Sequence, residues 1–413
     1  MINKKIIVVG AGPAGMMAAI TAAQHSNHVI LIEKNATIGK KLSITGGGRC
    51  NITNNSSPEE IMKNIITNHK FLYKSLHSFT SKQVMELLET NGCPIKIEEK
   101  EKVFPLSEKS ADVIKVFEKL LAEHRVKVYF ECQLKDIFVE DDRIVGIETN
   151  HHNKLECDAL ILATGGVSYP ITGSTGEGHN ICEKLGHKII PLKPSLISMT
   201  IEEKWLTEMT GIALRDIVIK TKINKKSLNF YGDLLFTHYG ISGPAVFELS
   251  SYLNKVDLPK EGHEIFVDLL PQIAQDKLKE LFLSADISNK QVSTLLIECF
   301  PKRFVADLLN EFNLSNTIKF NQLNKKDRNR LMETIKNFKI TVLGLRNIQH
   351  AIVTSGGISV KEVNPSTMES KIIKDLYFAG ELLDVDALTG GYNLQIAFST
   401  GYIAGSNSVG EDE

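Results

Sequence analysis

The apolar positions of the chain change period several times, and each change marks a different kind of element. KKIIVVG (4–10) is an unbroken apolar run of the sort buried in a parallel sheet. AGMMAAITAAQH (14–25) is helix-forming, and HVILIEK (28–34) returns to β-branched strand residues. Residues 4–34 therefore predict a βαβ unit. A polar loop covers 35–57, with Pro58 placed for a first helical turn and Thr80 with Gln83 forming a capping box for a helix that stops before Gly92. ADVIKVFEKLLAEH (111–124) puts Val113, Ile114, Phe117, Leu120 and Leu121 on one helical face, and VKVYFEC (126–132) follows as a strand. Short alternating strands with polar turns then lead into ALILATGG (159–166), an antiparallel meander running into another sheet strand.

After about residue 190 the rhythm differs. SLISMTI, IVIKTKI, LNFYGDLLFTH and EIFVDLL read as antiparallel strands, and beyond Pro271 the chain is lysine- and leucine-rich helix. AIVTSGGI and KDLYFAGE restore buried-strand character, and GGYNLQIAFSTGYIAG opens a last helix on glycines. The expected organisation is a discontinuous first domain, 1–190 with 341–413. An antiparallel insert (191–271) and a helical subdomain (272–340) interrupt it.

Composition narrows the function classes. The 413 residues carry 48 basic and 49 acidic side chains, a net charge of -1, so no global field attracts a polyanion or a membrane. The apolar run before Gly10 is too short for a leader or a membrane span, which gives the expectation of a soluble, cytoplasmic protein with no membrane partner. Six scattered cysteines show neither a disulfide framework nor zinc spacing, and no metal site is signalled. The lysine-rich stretch 324–339 is the one cluster that invites a nucleic acid, and a solvated helix face explains it equally well. A small-molecule substrate without nucleic acid is the expected partner.

Gly10-Ala11-Gly12-Pro13-Ala14-Gly15 is G-x-G-x-x-G between a strand and a helix, with Glu33 at the end of the next strand. The first glycine permits the tight turn, the second lets a pyrophosphate approach the backbone, and the third allows close packing of helix on strand. The helix N-terminus offers free N–H groups and a positive dipole end. Glu33 is placed to accept from the ribose hydroxyls. Three later segments favour FAD over NAD as the resident dinucleotide: the ATGG turn ending ALILATGG (159–166), with Ala163, Thr164 and Gly165, then Gly380-Glu381 after another strand, and Thr389 to Asn393 opening the last helix. That helix dipole would stabilise charge gathering on a reduced flavin. No second complete fingerprint is present, so NAD(P)H is expected only as a transient visitor.

These residues resemble the bacterial BaiN-type, aminoacetone-oxidase-like FAD-binding oxidoreductases across nearly the whole chain. The stretches that carry the resemblance are VVGAGPAGMMAA, IGKKLSITGGGRCNITN, VFPLS, SYPITGSTGEGH, LLFTHYGISGPA and LYFAGELLDVDALTGGYNLQIAFSTG. It implies an α/β fold: a doubly wound, glutathione-reductase-like Rossmann domain for non-covalently bound FAD, with an inserted β-barrel-like domain and a helical lid. It also implies FAD contacts at Gly10, Gly12, Ala14, Gly15, Glu33, Lys34, Lys41, Arg49, Gly165, Gly380, Glu381, Asn393 and Leu394. The surrounding motifs add Pro13, Thr45, Gly46, Gly47, Cys50, Asn51, Leu134, Ala163, Thr164 and Gly391.

Flavin chemistry needs positioning and electrostatics more than a nucleophile. Arg49 suits the pyrophosphate or an anionic substrate. Cys50 is either a redox thiol or packed. Tyr169 either lends a phenol or shapes the cavity. His238 precedes a helix start at Pro244 that is either an anion site or a plain turn. Gly46 to Gly48 are expected as bare backbone beside FAD, where any Cβ would crowd it. The expected function is an FAD-dependent oxidoreductase that NAD(P)H reduces and that passes hydride to a small organic acceptor. The alternatives are an oxygen-using amine oxidase and a flavin-bound nucleic-acid or scaffold protein.

Overall fold

A computed structural model describes residues 2–410; Met1 and residues 411–413, the ends of the first expected domain, lie outside the described residues. The chain divides into two compact units, Met1–Ser195 with Ile348–Glu413, and Leu196–Asn347.

In the first unit five parallel strands form the central sheet in the order Leu376–Phe378, Ala159–Leu162, Ile2–Val9, Ser26–Ile32, Lys127–Tyr129. The register aligns Val9 with Ile32 on one side and Leu162 on the other, so three strands end level at one edge. Ile6, Ile7, Val8, Leu31, Leu160 and Ile161 have no measurable exposure, as expected of strands covered on both faces. The helix Pro13–Ala23 follows the first strand and packs against the closing helix Tyr392–Ser408. Gly401 and Gly405 make that approach close: a Cβ there would lie 2.2 Å from the Ala14 carbonyl oxygen and 2.4 Å from that of Ala18. The antiparallel meander Leu134–Glu140, Arg143–Thr149, Leu155–Glu156 and the capping box at Thr80 and Gln83 are both present.

The second unit is built on a closed six-stranded barrel. Phe338–Leu345 is its closing strand, paired antiparallel with both His263–Asp268 and Met199–Ile201. This corrects the expected boundary at 341, which cut that strand in two. It also removes the separation at 271, because the helices share the barrel's core. Phe304, on the helix Lys302–Glu311, stacks with Phe236 of one barrel strand (6.2 Å) and meets Phe338 of another edge-on (5.9 Å). No helix among the described residues is long and apolar enough to cross a membrane.

Candidate functional site

The site lies at the carboxyl edge of the parallel sheet, where open α/β sheets bind their ligands. Three segments converge there. A Cβ on Gly10 (φ +98°) would stand 2.6 Å from the Ala163 carbonyl oxygen, and one on Gly380 (φ +72°) would stand 2.8 Å from the Ala14 Cβ. The fingerprint, the 163–165 turn and the 379–381 turn are thus neighbours. Glu33, 8% exposed, closes the group: its carboxylate accepts from Ala11 N (2.8 Å), Asn35 N (2.9 Å) and Asn35 Nδ2 (2.7 Å). Of the roughly four acceptor positions of a carboxylate, about one is left for a ribose hydroxyl.

The three fingerprint glycines divide by what forbids a side chain. Gly15 must be glycine for the fold, since a Cβ would fall 1.8 Å from the Gly10 carbonyl oxygen. Gly10 is excluded in the same way. Gly12 differs. Its backbone is extended (φ -79°), it caps the first helix, and nothing lies within 4 Å of where its Cβ would be. The protein itself does not require glycine there, and the space left open faces the unpaired N–H groups of the helix start. Thr164 Oγ1 at the neighbouring strand end is buried with no hydrogen-bond partner among the described residues. That hydroxyl lies against Gly178, where a Cβ would stand 2.1 Å from it; the open cradle at the helix N-terminus is what fits a dinucleotide.

A half-buried polar cluster ties four distant segments beside this edge. Lys41 Nζ donates to Glu381 Oε2 (2.6 Å) and Ser168 Oγ (2.6 Å); Ser168 Oγ donates to Glu381 Oε1 (2.9 Å), which also accepts from Thr354 N (2.7 Å). Burial pushes the Glu381 carboxyl up, but the Lys41 charge and these bonds outweigh it and hold the pKa below the usual carboxylate range. Tyr169, next in sequence, is half-buried with a left-handed backbone (φ +49°). Lys34 donates to Thr175 Oγ1 (2.7 Å) and pairs with Glu177 (3.2 Å). Leu134 is buried and Leu394 half-buried.

The TGGGRCN loop departs from expectation in two respects. Gly46, Gly47 and Gly48 are all left-handed (φ 61°, 69°, 88°), and open space surrounds the Cβ position of Gly47. The left-handed backbone alone calls for glycine at these three positions, whatever lies beside them. Arg49 is not a free cation for a pyrophosphate. Its guanidinium lies 4.2 Å over the Phe104 ring and bonds Glu98 (2.5 Å) and Glu108 (3.1 Å), so its charge is answered at the small sheet of residues 53–105 and the turn that follows it. Cys50 is fully buried, and burial, with neighbouring Cys93 adding, pushes its thiol up to about 12, which removes it as a thiolate. Thr45 accepts the Cys50 N–H on its carbonyl (2.9 Å).

Asn51 instead organises the loop. With its amide turned to satisfy both ends, it donates to the carbonyls of Thr53 (3.1 Å) and Val103 (3.2 Å) and accepts from Gly391 N (3.0 Å), the cap of the closing helix. Asn393 likewise holds its own loop, accepting from Ala387 N (3.0 Å) and donating to Ala387 O (2.8 Å). Sequence reasoning missed fully buried Asp386, which accepts from the hydroxyls of Thr67, Ser195 (2.9 Å) and Ser355 (3.0 Å). No spacing links those four positions.

His238 belongs to the second unit. It is exposed, with its ring edge-on to Tyr239 at 4.8 Å. Tyr239 packs under Arg346 (3.9 Å) and donates to Ser198 Oγ (3.4 Å). Burial works against ionisation of the phenol, yet the Ser198 bond, with Thr237 and Arg346, lowers its pKa on balance.

The chain matches the family described as HI0933-like protein Rossmann domain over residues 4–407. It is 32% identical over 402 residues to the ribosomal RNA dihydrouridine synthase of Haemophilus influenzae, covering 96% of each chain. It is 28% identical over 407 residues to the 3-dehydro-bile acid delta(4,6)-reductase of Clostridium scindens, covering 97% of this chain and 98% of the other. Among solved structures, a 3-ketosteroid-delta4-(5alpha)-dehydrogenase from Rhodococcus jostii shares the fold at 14% identity and a TM-score of 0.52, covering 99% of this chain and 97% of that one.

Proposed function

The chain belongs to the HI0933-like Rossmann family and is an FAD-dependent oxidoreductase, and from that premise we propose that it reduces a uridine of ribosomal RNA with NAD(P)H as electron source. The observation that carries the reading is likeness over almost the full length of a protein named for that reaction. The bile-acid relative supports the bond chemistry. A 3-keto steroid unsaturated at positions 4 and 6 and the uracil ring unsaturated at C5–C6 both present a carbon–carbon double bond conjugated to a carbonyl. Reduction adds a hydride at the carbon far from the carbonyl and a proton at the near one, and NAD(P)H leaves as NAD(P)+.

FAD, when bound, supplies the capacity to take a hydride from a nicotinamide and give it to carbon. In this reading Gly12 and the N-terminus of the Pro13–Ala23 helix receive the pyrophosphate, each such helix-end interaction contributing ~0.3–1 kcal/mol. Glu33 takes a ribose hydroxyl. Lys41, Ser168 and Glu381 fix the turns on either side, with Gly165, Gly380, Gly391 and Leu394 as surrounding wall.

The test is genetic and chemical together. Ribosomal RNA from a strain lacking the gene is digested to nucleosides and assayed for dihydrouridine by mass spectrometry. Loss that a plasmid copy restores is the expected result; an unchanged content rejects the RNA substrate. Purified protein mixed without oxygen with NADH, NADPH or aminoacetone then separates a nicotinamide-fed reductase from an amine oxidase by which donor bleaches the flavin.

A further inference from the structure

The barrel strands Ala213–Ile223 and Lys226–Thr237 form a long hairpin joined by Asn224 and Lys225. Both turn residues have left-handed backbones (φ 49° and 67°), a two-residue turn whose second position strongly favours glycine. Here a lysine occupies it. The register pairs Lys222 with Ser227, Lys220 with Asn229 and Val218 with Tyr231, while Ile219, Thr221, Ile223 and Phe230 are buried. The opposite face therefore carries Lys220, Lys222, Asn229 and Tyr231 together. The Tyr231 ring is 60% exposed, a large aromatic surface left in water.

Of the acids on the neighbouring strands, Asp268 and Glu264 are engaged, while Asp216 and Asp233 lie at the far end of the hairpin, beyond Tyr231. Asp268 holds Lys220 (2.9 Å) and Lys336 (2.8 Å), and Glu264 holds Lys339. Lys222, Lys225 and Lys226 have no ion-pair partner among the described residues. Three unanswered cations at a tip and an exposed ring about four residues down the strand, ~13 Å at ~3.3 Å per residue, form a surface longer than one nucleotide. Cations answer phosphates, and an exposed ring offers a stacking platform to an unpaired base.

We propose that the tip of this hairpin and the outer face below it are where the chain grips RNA, with Lys225 and Lys226 at the turn and Lys222 on the outer face bound to phosphates and Tyr231 stacked on an unpaired base. The inference rests on the ribosomal RNA reading and adds the surface that reading needs.

The test measures binding of the full-length, FAD-loaded protein to unmodified transcripts of the small- and large-subunit ribosomal RNAs between 50 and 200 mM salt (about the range over which phosphate contacts are lost). Replacing Lys222, Lys225 and Lys226 together by Gln should flatten the slope of log K against log salt by about 2–3, since each phosphate contact contributes ~0.7–0.9. Tyr231→Ala should weaken binding roughly 5- to 100-fold and leave the slope unchanged. Flavin content and bleaching by NAD(P)H should be unaltered in both variants, which reports an intact fold. If the wild type binds and both variants match it in affinity and slope, the hairpin assignment fails while the RNA reading stands. A wild type that binds neither transcript overturns the RNA reading and the hairpin with it. Tighter binding to poly-glutamate than to either transcript, lost in the triple variant, would make the partner an acidic polypeptide and overturn the proposal.

Discussion

Within one motif, two glycines answer to the fold and the third meets only open space, and substitution separates them. Gly15→Ala drives a Cβ into the Gly10 carbonyl and should cost several kcal/mol, as overpacking against backbone does. Gly12→Val meets open space at φ -79° and should leave the thermal midpoint of the FAD-free protein within about 2 °C, while FAD content falls severalfold. A Gly12 variant that unfolds early would show that the position serves the fold after all. At Cys50 the thiol, raised to about 12 by burial, should resist alkylation at pH 8, leaving exposed Cys299 as the cysteine labelled in the native state. Rapid loss of activity on labelling of Cys50 would restore its candidacy as a redox group. Glu381 makes the pH argument. Its folded pKa is depressed, so its contribution is complete above the ordinary carboxylate value of ~4.3 and is lost as pH falls through the folded value. Glu381→Gln should therefore destabilise at pH 7 and flatten the acid limb, by about 2–3 kcal/mol in urea titration. That is below a fully buried pair because Lys41 and Glu381 keep 23% and 21% exposure.

At the scale of elements, legibility follows how local the determinants are. The first strand, helix and strand, the Thr80 capping box and the helix opening at Pro244 rest on residues within a few positions of one another, and the chain displays them openly. Barrel closure does not show. FKITVLGL reads as a strand only weakly after a helix, and its role depends on partners at 199–201 and 263–268. Asn51 was legible as part of the FAD-side loop, but its reach to Gly391 N was not, since nothing local couples the loop to the last helix. That bond carries a prediction. Asn51→Ala leaves the Gly391 N–H without its acceptor and should cost about 1–3 kcal/mol, with a faster release of FAD seen by fluorescence recovery. Equal stability and equal release would mean the loop and the closing helix are held by packing alone.

For the whole molecule the near-zero net charge misleads, because it averages over regions that differ. The lysines at 222, 225 and 226 look unremarkable in sequence, interrupted by Ile223 and Asn224; only the tightness of the turn gathers them at one tip. The 324–339 stretch, which looked more basic, spends Lys336 inside, on Asp268 and on the carbonyls of Leu270 (2.9 Å) and Ile273 (2.8 Å). Substrate size follows from the same consideration. If contacts remote from the reacting double bond bind RNA, they add transition-state stabilisation that a free nucleoside does not receive. The purified, FAD-loaded protein with NAD(P)H should then reduce uridine within an unmodified ribosomal RNA transcript at least ~1000-fold more efficiently in kcat/KM than free uridine, a difference of about 4 kcal/mol. Nicotinamide oxidation and dihydrouridine formation, measured side by side without oxygen, decide it. Comparable efficiency on free uridine, or faster turnover of a 3-keto-4,6-unsaturated steroid than of either, would place recognition in the ring alone and return the chain to the small-molecule reductases.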